Sequence, residues 1–283
     1  MSTAPLRLPE LAGFDLDAYL QRIGFRGARA PTLATLRELQ WCHVSTIAFE
    51  NLSSLAGEPV PLELAALQAK MVHGRRGGYC YEHNVLFAAA LLRLGFEVTG
   101  LAARVLWNAP QGSLNPRTHM LLQLELAEGS HIADVGFGSA TLPGPLRLAT
   151  TAAQATPIEP YRLLPDAEGY RLEVRQSQEW RPVYSFDLQP QQFTDYQMAN
   201  WFVSTYPGSR FVQLLIAARP AGTLRHALLD AELAQRAADG RVERRRLGSV
   251  AELRQVLAGQ FGIDVPAGAR MDAAFERVLA RQP

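Results

Sequence analysis

Arg75-Arg76-Gly77-Gly78-Tyr79-Cys80-Tyr81-Glu82-His83-Asn84 is the stretch on which the reading turns. The two glycines allow a tight backbone approach. Cys80 then opens a segment running to Leu94 that is apolar nearly all round, through Val85, Leu86, Phe87 and Ala88 to Leu92. Such a segment is a helix buried deep in a core, and Gly95 is the residue type that ends one. A cysteine in its first turn meets unpaired backbone N–H groups and the positive end of the helix dipole. A free thiol titrates at about 8.5, and a helix end of this kind is expected to lower that value and favour the nucleophilic thiolate. Taken alone, Cys80 reads more readily as a small packing hydrophobe.

Upstream, Asp15 to Ile23, Thr32 to His43 and Leu62 to Val72 carry apolar residues at helical spacing. Downstream the period changes. Phe96 to Trp107, Thr118 to Leu126, His131 to Phe137, Tyr161 to Leu164, Tyr170 to Arg175 and Val183 to Leu188 read as strands, with turns at Glu128-Gly129 and Asp166 to Gly169. These describe a mainly antiparallel sheet or small barrel. The last third mixes an aromatic-rich run, Gln197 to Tyr206, with strands over Val212 to Ala217 and Leu224 to Leu229. Helices follow over Val250 to Phe261 and Met271 to Leu279, and Arg241 to Arg246 reads as a solvated strand or turn.

Of 283 residues, 28 are basic and 27 acidic, a balance that argues against broad binding of nucleic acid or anionic membrane. Apolar residues make up 48%, enough for a large core. Two cysteines, Cys42 and Cys80, are too few for the disulfide framework of a secreted chain. Met1 to Glu10 has no apolar signal core, and Val85 to Leu92 is too short to span a bilayer. The expectation is a reduced, soluble, cytoplasmic protein.

Two further residues give Cys80 chemical company. His119 opens the strand Thr118 to Leu126, and Asp134 lies on the next one, in Asp134-Val135-Gly136-Phe137-Gly138. A histidine can take a thiol proton, and a carboxylate behind it fixes its tautomer. Their odd separation puts both on one face of an unbulged hairpin. A turn centred on Glu128-Gly129 nevertheless offsets them by four residues, roughly 13 Å at strand rise. A longer loop, another register or non-adjacent strands would have to close that gap.

With these segments in view, the chain resembles the arylamine N-acetyltransferases. That family has an Arg-Gly-Gly-aromatic-Cys-aromatic-Glu segment, then a histidine, then Asp-Val-Gly-Phe-Gly. The resemblance extends to Ala48-Phe49-Glu50-Asn51-Leu52 and to Asn200-Trp201-Phe202-Val203-Ser204-Thr205. It implies an α+β fold with a cysteine-protease-like catalytic core: a helical bundle over 1–94 carrying the nucleophile, an antiparallel β-barrel over 95–195 carrying His and Asp, and an α/β lid over 196–283. It also implies Cys80 as nucleophile, His119 as base and Asp134 as the residue orienting that base. Phe137 and Phe202 would line the acceptor pocket, and Tyr79 and Phe49 would help them exclude water. Tyr206 stands where relatives often show another residue, which leaves acceptor preference open.

The reaction so implied moves an acetyl group from acetyl-CoA to an arylamine, hydrazine or arylhydroxylamine through a thioester on Cys80, with no metal; the resemblance implies a detoxifying role, and a biosynthetic one is equally compatible with these residues. Expected partners are these small molecules, with no nucleic acid and no membrane, and with self-association into a homo-oligomer left open. No phosphate-binding loop is present, and Lys70, Arg75 and Arg76 read singly as solvated surface rather than as a CoA site. Rival readings are an amide synthase of macrolactam biosynthesis with the same triad, a cysteine hydrolase, and a binding module without catalysis. A zinc protein using Cys42-His43 and Cys80-x-x-His83 is a fourth.

Overall fold

The computed structural model describes residues 5–110, 112–167 and 169–281. The start of the Met1 to Glu10 segment and one residue of the expected turn at Asp166 to Gly169 lie outside the described residues. Helices α1 (Leu16–Ile23) and α2 (Leu33–Thr46) are capped by the residues before them. Asp15 accepts from the Ala18 N–H at 2.9 Å and Thr32 from the Thr35 N–H at 3.3 Å. A two-residue strand, β1 (Phe49–Glu50), and a short helix, α3 (Leu52–Leu55), follow. The helix expected over Leu62 to Val72 begins as α4 (Leu64–Leu67) and loosens into a π turn over Gln68–His73. Helix α5 (Cys80–Arg93) is buried without interruption from Cys80 to Leu91, as its all-round apolarity predicts. Gly95 takes φ +85° just beyond its end.

The middle strands are β2 (Glu97–Val105), β3 (Arg117–Leu126), β4 (Gly129–Ala133), β5 (Leu146–Arg147), β6 (Tyr161–Asp166), β7 (Gly169–Gln176) and β8 (Glu179–Phe186). They form one antiparallel sheet in the order β5-β4-β3-β2-β8-β7-β6, curled so that its edges nearly meet. Gln154 bridges those edges. Its backbone pairs both ways with Tyr161 on β6, and its side chain accepts from the Arg147 N–H at 2.8 Å and donates to the Arg147 carbonyl at 3.0 Å on β5. β3 serves two cores by alternation: Met120, Leu122 and Leu124 pack with α5, while Leu121 joins Leu101, Ile132, Tyr161, Leu172 and Tyr184 inside the barrel.

Two expected strands differ in extent. Val183 to Leu188 overlaps the second half of β8, which ends at Phe186 and starts earlier than expected because Ser177 and Gln178 take φ of +49° and +70° and make a hairpin turn without glycine. His131 to Phe137 ends as a strand at Ala133, so Asp134 lies just past β4 rather than on it.

The aromatic run becomes α6 (Phe193–Thr205). Val212 to Ala217 is not a strand throughout: Ser209 caps a one-turn helix, α7 (Arg210–Gln213), and the strand β9 (Ile216–Ala221) starts later. β10 (Leu224–Leu229), β11 (Glu232–Ala237) and β12 (Val242–Arg246) complete a second sheet in the order β1-β9-β10-β11-β12. Phe49 of β1 pairs with Ala218 of β9 and bridges to Gly78, so the loop before Cys80 is stitched through β1 to the C-terminal third. Helices α8 (Val250–Gly259) and α9 (Ala269–Leu279) cover this sheet through Leu253, Val256, Leu257, Met271 and Phe275.

Behind α5 runs a buried chain of hydrogen bonds whose direction is determined. His83 Nε2 meets the Ala48 carbonyl at 3.1 Å, so it donates. The neutral ring then accepts at Nδ1 from His43 Nε2 at 2.8 Å, and His43 accepts at Nδ1 from the Tyr19 hydroxyl at 2.8 Å. Burial holds His83 down at about 4 and also lowers His43, whose neighbour His83 adds to the effect. A histidine that stays neutral when folded but charges when unfolded makes the unfolded chain bind more protons. Stability therefore falls as pH drops from the unfolded value of 6.5 towards 4, by about 3 kcal/mol for His83. Urea unfolding between pH 7.5 and 4.5 should show this slope. His83→Gln should be less stable at pH 7.5 and have a shallower slope.

Candidate active site

The backbone before Cys80 is packed too tightly for side chains. A Cβ on Gly77 would lie 1.9 Å from the Ala48 carbonyl oxygen, and one on Gly78 would lie 2.7 Å from the Glu82 carboxylate. Gly78 instead accepts from the Glu50 N–H at 2.7 Å. Two ion pairs flank this crossing, which corrects the solvated reading of two basic residues. Arg76 is buried and donates through Nε to Glu50 at 2.8 Å, and Lys70 Nζ lies 2.6 Å from Glu82. Burial works against ionised Glu50, but Arg76, Lys70 and the Leu52 N–H outweigh it and hold the carboxyl at about 2. Glu82 also accepts the Tyr79 N–H at 3.0 Å, satisfying one orphan donor of α5. Arg75 remains exposed, 3.8 Å from Asp264.

Cys80 is 3% exposed, and its Sγ donates to the Thr118 carbonyl at 3.6 Å. Burial pushes the thiol pKa up, and the charges on Asp134 and Glu82 add to that, against the Met120 and Tyr81 N–H groups. The expectation that the helix end lowers the pKa is therefore not met: loss of water outweighs the two backbone N–H groups at the sulfur. Any activation must come from a base.

His119 Nε2 donates to Asp134 Oδ2 at 2.7 Å, and both residues are buried. The hairpin resolves the expected mismatch. Leu126 faces Gly129, so the turn is Ala127-Glu128, one residue earlier than expected. Continuing the register sets Asp134 opposite Leu121, two residues from His119 rather than four, roughly 7 Å along the strand. The chain leaves the ladder at Ala133, and the side chains span the remainder.

Asn84 holds this arrangement, and sequence reading did not single it out. One turn after Cys80 on α5, its Nδ2 donates to the Met120 carbonyl at 2.7 Å and to Asp134 Oδ1 at 3.0 Å. Its Oδ1 accepts from the Val135 N–H at 3.2 Å. The Gly136 N–H adds a bond of 2.9 Å to Asp134. Burial raises the Asp134 pKa, but His119, Asn84 and Gly136 together bring it below the ordinary value. Gln40 donates to the main-chain carbonyls of Asp134 at 3.3 Å and Leu142 at 2.8 Å. The available signal for Asn84 was its four-residue spacing from Cys80, which puts both on one helical face.

The four aromatic candidates divide. Phe137 meets the His119 ring edge-on at 5.0 Å between centroids, with Tyr184 on that ring at the same separation. Phe202 is 40% exposed on α6 and stacks on Tyr206. Tyr79 and Phe49 are buried and both pack on Phe211. The Tyr79 hydroxyl donates to Asn200, and Phe49 stacks on His83. A cleft of about 210 Å³ is lined by Arg104, Leu106, Arg117, Tyr170, Phe186 and Asp187 among others, and by none of these aromatic candidates. The zinc reading loses its ligands, because His43 and His83 use both ring nitrogens in the buried chain. Among the described residues no group of three or more His, Cys, Asp or Glu is arranged to hold a metal.

A family model described as N-acetyltransferase matches residues 32–270. An arylamine N-acetyltransferase of Mycobacterium tuberculosis is 42% identical over 95% of this chain and 97% of its own length. A relative from Salmonella typhimurium, arylamine N-acetyltransferase / N-hydroxyarylamine O-acetyltransferase, is 38% identical over 88% and 89%. The structure of Mycobacterium marinum arylamine N-acetyltransferase in complex with CoA superposes with a TM-score of 0.90 at 41% identity, covering 93% of this chain and 99% of that one.

Two substitutions test the geometry. Asn84→Ala removes three buried hydrogen bonds and should cost about 2–4 kcal/mol in urea unfolding. Gly136→Ala sets a Cβ 2.8 Å from the Cys80 Cα and should cost about 1–3 kcal/mol by overpacking.

Proposed function

The chain belongs to the arylamine N-acetyltransferases, and from that premise we propose that Cys80, His119 and Asp134 carry the transfer through an acetyl-thioester on Cys80. The reaction moves the acetyl group of acetyl-CoA to an aromatic amine. The observation that carries the residue assignment is the bond from His119 to Asp134, held by Asn84 on the helix that bears Cys80.

With its Nε2 proton given to Asp134, neutral His119 has its lone pair at Nδ1. Sγ leaves the Thr118 carbonyl and passes its proton to that nitrogen. The thiolate attacks the acetyl carbonyl, the bond to the CoA sulfur breaks, and the imidazolium returns the proton to the departing thiolate. The Met120 and Tyr81 N–H groups hold the Cys80 sulfur anion, and the Cys80 N–H at the helix start serves the carbonyl oxyanion. The amine nitrogen then attacks the thioester, His119 accepts its proton, and Cys80 leaves as thiolate to be reprotonated. One thioester replaces another in the first half, so transfer potential is kept, and the amide product makes the second half downhill. Burial of Cys80 protects the intermediate from water.

Phe137, against His119, is the acceptor-pocket residue best supported by position; Phe202 extends the pocket from α6, while Tyr79 and Phe49 act as packing behind it. Hydrazines and arylhydroxylamines fit the same reading. The Salmonella relative's name couples N- to O-transfer. The comparisons favour this reading over the amide synthase. The units 1–94, 95–195 and 196–283 would then supply the nucleophile, the base with its carboxylate, and the lid. One chain carries all three catalytic groups, so a homo-oligomer is not needed to complete the site. The cytoplasm suits the unpaired cysteines Cys42 and Cys80.

Intact-protein mass spectrometry after brief exposure to acetyl-CoA without amine tests the thioester. The expected result is one added acetyl on the normal protein, none on Cys80→Ala, and loss of the adduct on adding an arylamine. An adduct that persists in Cys80→Ala overturns the assignment. Asp134→Asn should acylate about 10³–10⁴-fold more slowly in rapid-quench kinetics while keeping its fold.

A further inference from the structure

The chain leaves the β4 ladder after Ala133 and joins a strand again only at Leu146 in β5. The segment between them carries Asp134, Gly136 and Phe137, and side chains from other parts of the chain set its shape. From one side Gln40 on α2 donates to the main-chain carbonyls of Asp134 and Leu142. From the other, the Tyr161 hydroxyl on β6 donates to the Ala140 carbonyl at 3.0 Å and lies 3.3 Å from the Thr141 carbonyl. Within the segment, the Thr141 N–H closes a turn on the Gly138 carbonyl at 3.0 Å, and Gly138 takes φ +82° to enter it. Phe137 stands immediately before that turn, with its ring on His119.

Tyr161 is itself braced from the C-terminal sheet. Arg225 on β10 donates through Nη2 to the Tyr161 hydroxyl oxygen at 2.9 Å. The same guanidinium is held by both oxygens of Glu159, two residues before Tyr161, with bonds of 2.8 and 3.0 Å from Nε and 2.7 Å from Nη2. All three side chains are buried. A guanidinium at the phenol oxygen polarises the O–H and strengthens its donation to the carbonyls. The ring is fixed as well, because the Tyr161 backbone pairs both ways with Gln154. A buried ion pair adds little net stability, since desolvation offsets the attraction between its charges. What this pair supplies is geometry.

On the reading that Phe137 lines the acceptor pocket, we infer that Tyr161, braced by Arg225 and Glu159, is a positioning residue for the acceptor half of the reaction. It fixes the turn over 138–141 and so keeps Phe137 against His119, where the amine docks. The C-terminal sheet thereby reaches the pocket wall through one hydroxyl. The donor half rests on other contacts. Asp134 and His119 are held by Asn84 and the Gly136 N–H, all before the turn. Loosening the turn is therefore felt by the amine and not by acetyl-CoA.

Tyr161→Phe removes the hydroxyl and keeps both the ring and the ion pair. Rapid-quench kinetics separate the two halves: acetylation of Cys80 by acetyl-CoA, then discharge by an arylamine. Acetylation should stay within about 2-fold of normal, while the amine concentration for half-maximal discharge should rise about 10-fold. Removing one member of the ion pair strands the other, so the pair is replaced together. Glu159→Leu with Arg225→Met should give the same split between the halves. A role confined to stability would lower the unfolding midpoint of Tyr161→Phe and leave its amine dependence normal. That result overturns the inference, as does equal slowing of both halves. A normal protein that takes no acetyl group on Cys80 overturns the underlying reading, and the inference with it.

Discussion

The amide of Asn84 ties together three parts of the chain that are far apart in sequence. It bonds to the Met120 carbonyl on β3, to the Asp134 carboxylate just past β4 and to the Val135 N–H, all from the helix that begins with Cys80. Residues four apart on a helix share a face, so the thiol and the group fixing the carboxylate are set by one rigid element. His119 follows, because its ring is bonded to that carboxylate and packed against Phe137 and Tyr184. Gly136 lets the segment approach the first turn of α5, where a Cβ would collide with the Cys80 backbone.

Burial sets the chemistry of this arrangement. A thiol without water is harder to ionise, and the Met120 and Tyr81 N–H groups do not make up the difference. The same dryness strengthens interaction between a thiolate and an imidazolium once a proton has moved between them. Nearby charges are neutralised in pairs, Arg76 with Glu50 and Lys70 with Glu82, which fixes the loop before Cys80. Product amide, unlike a thioester, does not return its acyl group readily, which gives the cycle its direction.

Much of this was legible in the residues. The uninterrupted apolar character of Val85 to Leu92 specified a buried helix, and Asp15 and Thr32 announced the helix starts they cap. The shift to period-two patterning after Gly95 marked the barrel strands. What escaped depended on partners distant in sequence. The hairpin after β3 turns at Ala127-Glu128 because the ladder, not the glycine, chose the register. Glu232–Ala237 is rich in helix formers yet is a strand, held between two neighbours. Arg76 read as surface because no local pattern reveals a carboxylate 26 positions away, and Gln154 gave no sign that it bridges the barrel edges.

The pH dependence of Cys80 alkylation by iodoacetamide, compared between the normal protein and His119→Gln, tests most directly whether the dry thiol is activated by its histidine. The account predicts that the normal protein reacts rapidly on a plateau extending below pH 7. In His119→Gln, reaction should remain slow until the pH rises above the ordinary thiol range of about 8.5. Identical profiles would contradict it, since Cys80 would then owe its reactivity to the helix end alone.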